Sequence, residues 1–331
     1  MSVMRETVTA KDVAKLAGVS QSSVSRVYFE GASVSEKTKK RVLDAAEELG
    51  YRPNVYARSL ITNQSNIIGL VMKGVQNPFY AEVLKRFSSI FKQHGYSILF
   101  VYTNNDEIQK EDVDTLLNYN VAGVVVTDAT MSLAVGEEFV KNHIPLVFFN
   151  RKLGMGEFHS VCCNNLNASR SIAQYLLSKG ATDMVLITGN EHTSTSIERE
   201  KGFCEVLDQH KNDYRKYNSN YTYEGGYRTA MTILEEMRVP SAFFVANDIM
   251  ALGVIDALRK NNVRIPQDTK VVGFDNIDMA SWPAYELTTW EQPIKEMVEE
   301  TVNYLMDEVT SYTGFSRNIE IEGKFIERNT T

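Results

Sequence analysis

Cysteine is scarce: only Cys162, Cys163 and Cys204 occur, two of them adjacent. An odd count, with no CxxC pair and no Cys/His cluster, argues against a disulfide framework or a zinc site and for reduced thiols. Long apolar runs are missing as well. None approaches the roughly 18 residues that a membrane-spanning helix needs. The opening stretch MSVMRETVTAKDV has no apolar centre of the secretory kind, so a cytoplasmic location is expected. Enzyme signatures are missing too: there is no GxxxxGK[ST], HExxH or GxSxG. GMGEFH (154–159) begins like a dinucleotide fingerprint but lacks the third glycine and opens no helix. The expectation is therefore a protein that is not an enzyme and holds no metal or cofactor.

What is present is ordinary in amount and uneven in place. At 331 residues, 43% hydrophobic and 23% charged, the chain suits a soluble protein of two or three folding units. Its net charge is −7, yet residues 1–65 hold ten Lys and Arg against seven acids. That leaves +3 on the head and −10 on the rest, so only the head is suited to a polyanion.

The first 50 residues read as three helices. Thr9 with Asp12 forms a capping-box pattern, and Gly18 stops the first helix. Ser20 caps a second from about 21 to 29, and Ser35 a third from about 36 to Leu49, with Gly50 as its stop. Val24 and Val27 are expected to face inward with Val13 and Leu16, and Val42, Leu43, Ala46 and Leu49 to form the apolar face of the third helix. The segment VSQSSVSRV (19–27) is a poor helix former by propensity. Its outward residues are small and polar, as a helix entering a DNA groove requires. Gln21 can pair bidentately with adenine and Arg26 with guanine. The competing reading is the plain polar face of a small bundle. After it, PNVYARSLIT (53–62) offers only a short helix, unstable alone, with Tyr56 and Leu60 on one face. It is either a flexible tether or a segment that folds on binding.

From Ile67 onward apolar runs alternate with amphipathic stretches: IIGLVM, YSILFVY, VAGVVVTD, IPLVFFN, DMVLITG, SAFFVAND and TKVVGFD. Strand–helix alternation predicts parallel sheets, here divided into two α/β lobes. AGVVVTD and SAFFVAND have similar shapes and suggest corresponding places in two related lobes. Ligands of such sheets sit beyond the carboxyl ends of the strands. NPFY (77–80), Asn150, Arg151, Arg199, Asn247, Asp248, Asp275 and Gln292 all follow apolar runs and could ring a polyhydroxylated ligand. Singly, Asp275 reads equally well as a helix cap and Arg199 as a surface ion pair.

The motifs DVAKLAGVS, SVSRV, VSEKTKKRV, EELGYRPN and ARSL, in this order and spacing, closely resemble the DNA-binding head of the LacI family of bacterial transcription regulators. The resemblance continues through the body to about Gln292. It implies an all-α three-helix helix–turn–helix head on an α/β body, whose two doubly wound parallel-sheet lobes are of periplasmic-binding-protein type. The implied division is a DNA-binding domain at 1–52, a hinge helix and linker at 53–65, and an effector-binding and dimerisation body at 66–331. Within the body, one lobe takes about 66–164 plus a later segment, and the other about 165–292 plus a C-terminal strand.

Carried over by position, the resemblance puts base readers on Gln21, Ser22 and Arg26 and phosphate contacts on Ser20, Ser23, Ser25 and Asn54. It puts an apolar minor-groove wedge on Leu60, beside Ala57. It implies an effector ring of Phe79, Arg151, Arg199, Asn247, Asp275 and Gln292, with Tyr223, Ser194 and His192 as further contacts; His192 also reads as a plain loop histidine. Two departures stand out. Tyr28-Phe29-Glu30 replaces a leucine–asparagine-type pair, and Asn150 stands where sugar-binding relatives often carry aspartate. The function implied is a homodimeric repressor that binds a palindromic operator in double-stranded DNA and responds to a sugar-like effector. The resemblance also leaves room for a co-regulator protein on the dimer. A secreted binding protein would account for residues 67–331 but not for the head.

Overall fold

The computed structural model describes residues 8–28, 33–52, 65–74, 76–103, 107–153, 158–236 and 238–331. The chain divides into two units, Met1–Ser65 and Asn66–Thr331.

In the first unit, α1 (Ala10–Ala17), α2 (Gln21–Val27) and α3 (Glu36–Leu49) follow one another through tight connections. Each begins on a side-chain cap. Asp12 accepts from the Thr9 N–H (2.9 Å) and hydroxyl (2.7 Å), Ser20 accepts from the Ser23 N–H, and Ser35 from the Thr38 N–H. Gly18 and Gly50 end α1 and α3 in the left-handed conformation, at φ 63° in both, where a Cβ is disfavoured. The buried interior consists of Val13, Ala14, Ala17, Val24, Val42, Ala45 and Ala46. Two expected core residues are not in it. Leu16 is 47% exposed and Leu43 42% exposed, and Val27 is half-buried. Leu16 and Leu43 fall on the solvent-facing side of their helices, and the alanines one or two positions away occupy the seam. The second helix also ends at Val27, two residues short of expectation; Phe29 and Glu30 lie outside the described residues.

The second unit holds two sheets. One runs in the order β2 (Ser97–Tyr102), β1 (Ile67–Met72), β3 (Gly123–Val126), β4 (Leu146–Phe149), β5 (His159–Cys163), β11 (Asn318–Ile321), all parallel. The other runs β7 (Asp213–Asn218), β6 (Asp183–Thr188), β8 (Ala242–Val245), β9 (Lys270–Asp275), β10 (Thr288–Glu291), β12 (Lys324–Ile326). Here β12 is antiparallel to β10. The strand order is the same in both lobes, and AGVVVTD and SAFFVAND supply the third strand of each. The seven apolar runs read from sequence are all strands. The edge strand β7, DYRKYN, is not an apolar run, because an edge facing water has no need of one.

Why the inner strands read as continuous apolar runs is clear from where their side chains go. Along β1, Ile68, Leu70 and Met72 pack with Phe79, Val83, Phe87 and Phe91 of α4 (Pro78–Gln93). The alternate residue Val71 joins Val113 and Leu116 of α5 (Lys110–Asn118) and Phe139 of α6 (Leu133–Lys141) on the opposite face. Both faces of the sheet are covered, so neither set can be polar. In the second lobe, α7 (Asn165–Ser178) pairs with α8 (Ser194–His210), and α9 (Tyr223–Glu236) with α10 (Asp248–Lys260). The chain crosses between lobes after β5, again between β10 and α11 (Ile294–Thr310), and a last time between β11 and β12. In each sheet the order reverses beside the first strand, which opens a crevice at the carboxyl ends.

Candidate functional site

On α2 the residues 21, 22, 25 and 26 share one face by helical geometry. Gln21, Ser22 and Arg26 are exposed, while Ser23 and Ser25 are half-buried. The Ser20 hydroxyl is partly committed to its neighbours, lying 2.8 Å from that of Ser22 and 2.9 Å from that of Ser23. Asn54, Ala57 and Leu60 lie outside the described residues.

Between the lobes of the second unit lies a cavity of about 1150 Å³. It is lined from one lobe by Asn77, Phe79, Tyr80, Asp128, Asn150 and Arg151, and from the other by Thr195, Arg199, Tyr221, Tyr223, Asn247 and Asp275. Most of these stand at strand ends, as the topology dictates. Phe79 is buried and meets Tyr80 edge-on at 5.0 Å. Asn150 has a left-handed φ of 58° and donates its amide to the Tyr80 hydroxyl at 3.1 Å; its own side-chain oxygen has no partner. Arg151 reaches across the lobes, donating to the Asn150 carbonyl (3.2 Å) and to the Thr195 hydroxyl. Arg199 donates through Nε to Asn165 (2.9 Å) and through Nη1 to the Ala246 carbonyl, with its guanidinium 3.6 Å above the Phe274 ring. It is buried on the second turn of α8, so the surface ion-pair reading does not hold.

Asp275 caps no helix. It accepts from Gln292 Nε2 at 2.7 Å and, more weakly, from Asn77 of the opposite lobe at 3.5 Å. Gln292 therefore stands behind the carboxylate and is not among the cleft-lining residues. Burial pushes the Asp275 carboxyl up, against the opposing pull of Arg199 and the Gln292 hydrogen bond. Its neighbour Asp248, wholly buried, is pushed up by burial and by the Asp275 charge. Asn247 caps α10 by accepting from the Met250 N–H (3.1 Å). Tyr223 lines the cleft, but its hydroxyl donates to Asp256 at 2.7 Å. His192 is an exposed rim residue, and Ser194 accepts the Lys152 N–H at 3.0 Å without lining the cleft.

Several cleft residues escape a reading of the sequence. Tyr221, at φ 60°, hydrogen-bonds Ser196 through its hydroxyl and lays its ring where a Cβ at Gly189 would stand. It follows a polar edge strand, so no apolar run announces it. Thr195 lies on α8, where only the lobe-to-lobe contact with Arg151 gives it meaning. Asp128 does carry a signal, since it follows VVVT as Asp275 follows VVGF. Among the described residues no group of three or more His, Cys, Asp or Glu could hold a metal ion, and no helix is long and apolar enough to cross a membrane. Burial raises the thiols of Cys162 and Cys163 to about 12.

Residues 9–54 match the model of bacterial regulatory proteins, lacI family, and residues 173–331 that of a periplasmic binding protein-like domain. The HTH-type transcriptional repressor PurR of Edwardsiella ictaluri (strain 93-146) is 32% identical over 97% of this chain and 96% of its own length. The ribose operon repressor of Escherichia coli (strain K12) is 30% identical over 97% of this chain and 99% of its own. Among solved structures, the lac repressor dimer bound to operator and the anti-inducer ONPF superposes with a TM-score of 0.87, at 26% identity. That match covers 98% of this chain and 99% of the other.

Proposed function

Because the chain belongs to the lacI family of bacterial regulatory proteins, we propose that it is a transcription repressor acting in the bacterial cytoplasm. In this reading it binds a palindromic operator as a homodimer and changes its DNA affinity when a small effector enters the interlobe cleft. Residues 1–52 contact DNA, 53–65 form the hinge, and 66–331 bind the effector and dimerise. A twofold site needs two heads, which a homodimer supplies. Gln21, Ser22 and Arg26 read bases; Ser20, Ser23, Ser25 and Asn54 hold phosphates; Leu60, with Ala57, wedges the minor groove. Phe79, Asn150, Arg151, Arg199, Tyr223, Asn247 and Asp275 contact the effector, and Gln292 orients Asp275.

The observation that carries this reading is the bridging of the cleft by groups from both lobes, Arg151 to Thr195 and Asn77 to Asp275. A ligand that inserts among these groups must change how the lobes sit against each other, and lobe rotation alters the spacing of the two hinge segments. Such coupling between sites is typically worth about 1–3 kcal/mol. Footprinting of the full chain on genomic fragments should show twofold-symmetric protection, with affinity shifted roughly 5–150-fold by the effector. Arg26→Ala should relax preference at one base pair per half-site. Asymmetric protection, or an equal loss on every sequence, would overturn the respective assignments.

A further inference from the structure

Arg151 and Arg199 are 8% and 2% exposed and line the same cleft. Their hydrogen-bond partners are all neutral: a carbonyl and a hydroxyl for Arg151, a side-chain amide and a carbonyl for Arg199. Asp128 and Asp275 also line the cleft, yet neither arginine has a carboxylate within salt-bridge distance among the described residues. Each guanidinium also keeps one nitrogen without a partner, Nε of Arg151 and Nη2 of Arg199. Asp128 and Asp275 act on these arginines through space but not in contact, and a buried guanidinium whose nitrogens lack partners is costly.

Resting on the effector reading above, we propose that the effector is an anionic polyhydroxylated molecule whose carboxylate or phosphate oxygens accept from Arg151 and Arg199. The planar fork of arginine suits both groups, and an anion there would accept charge-assisted hydrogen bonds from the nitrogens that Asp128 and Asp275, which act on these arginines only from beyond contact distance, do not reach. The remaining lining, Asn77, Thr195, Asn247 and the Tyr80 hydroxyl, supplies donors and acceptors for hydroxyl groups, with Phe79 as an apolar wall. Tyr221 reports the same field. Burial alone would raise its hydroxyl, but Arg199 and Arg151, with hydrogen bonds to Ser196 and Thr195, pull it below the ordinary tyrosine value. Glu191 and Glu224 at the rim are exposed, where water and salt screen them.

The test is calorimetric titration of the full-length protein with pairs that differ only in the anionic group: D-glucuronate against D-glucose, and D-ribose 5-phosphate against D-ribose. At least tenfold tighter binding of one acid than of its neutral parent supports the proposal, and the arm that responds tells carboxylate from phosphate. In Asn150→Asp, which adds a carboxylate to the cleft lining at the residue before Arg151, against the Tyr80 hydroxyl, that preference should fall at least tenfold in protein that still melts cooperatively. Arg151→Lys, which keeps the charge but loses the fork, should bind the acid more weakly than wild type yet still prefer it to the neutral parent. Neutral parents binding as tightly as the acids, or an unchanged ratio in Asn150→Asp, would overturn the anion while leaving an effector site. Binding of no member of either pair would overturn both.

Discussion

Among the described residues the buried interior of the head consists of valines and alanines, with Tyr28, Leu49 and Tyr51 packed at its margin, whereas the interiors of the two lobes add buried phenylalanine, isoleucine, leucine and methionine. Phe87, Phe91, Phe149, Phe203, Phe244 and Phe274 are fully buried in the body, and no aromatic ring is fully buried among the described residues of the head. A small interior restricts how much apolar area the head can remove from water, so it relies on local devices: a side-chain cap on every helix and a left-handed glycine after two of them. The body has apolar burial in excess and uses it to offset the cost of holding Arg151, Arg199, Asp248 and Asp275 away from solvent. The two regions show that a site's polarity is limited by the core beneath it. Among the described residues the charged groups of the head are exposed or half-buried, and those that are buried lie in the body.

The largest effect expected from breaking this contrast is in the body. Phe244→Ala, in the centre of β8, should lower body stability by about 3–5 kcal/mol. Denaturant unfolding followed by hydrogen exchange should show the loss in residues 66–331 and leave protection of the head unchanged. Ser35→Ala should lower head stability by roughly 1 kcal/mol by removing the α3 cap. That smaller loss should cost more function, with operator binding weakened and effector affinity untouched in a titration of the same sample. The smallest effect separates the regions by pH. Hydrogen bonds from Thr9 hold the Asp12 carboxyl below its ordinary value, so its contribution is present at neutral pH and is lost only as pH falls below about 4. Asp248 and Asp275 are displaced upward by burial, so their linkage has the opposite sign. Stability is fullest below the ordinary carboxylate range and declines as pH rises from about 4 toward neutrality. Asp12→Asn should flatten the acid limb of head unfolding, and Asp248→Asn the neutral limb of body unfolding, in pH-resolved melts. The same sign in both regions would dissolve the distinction.

Much of this was legible in the residues. Caps and stops are local chemistry, so Thr9, Gly18, Ser20, Ser35 and Gly50 mark the helix ends without reference to anything distant. Strands covered on both faces must be apolar throughout, which makes six of the seven runs readable; the seventh, the edge strand β2, reads as apolar although Phe100 and Tyr102 are exposed. The errors arose where a local pattern meets a neighbour. Leu16 and Leu43 satisfy helical periodicity and still face solvent, because Ala14, Ala17 and Ala45 occupy the seam between the helices. The cleft candidates differ in another way: Tyr223 lines the cleft although its hydroxyl donates to Asp256, and Gln292 stands outside the lining with its amide supporting Asp275 from behind.

By itself the sequence determined the class of the chain, the division between a basic helical head and an acidic α/β body, and the outward chemistry of α2. All of these rest on composition, periodicity and residues close together along the chain. Only the tertiary structure decided which charges lack partners. Arg151 and Thr195 are far apart in sequence, as are Asp275 and Asn77, and each meets the other across two lobes. Whether a buried guanidinium finds a carboxylate or only neutral oxygens depends on distances of a few ångströms between separate sheets, and no spacing along the chain encodes them.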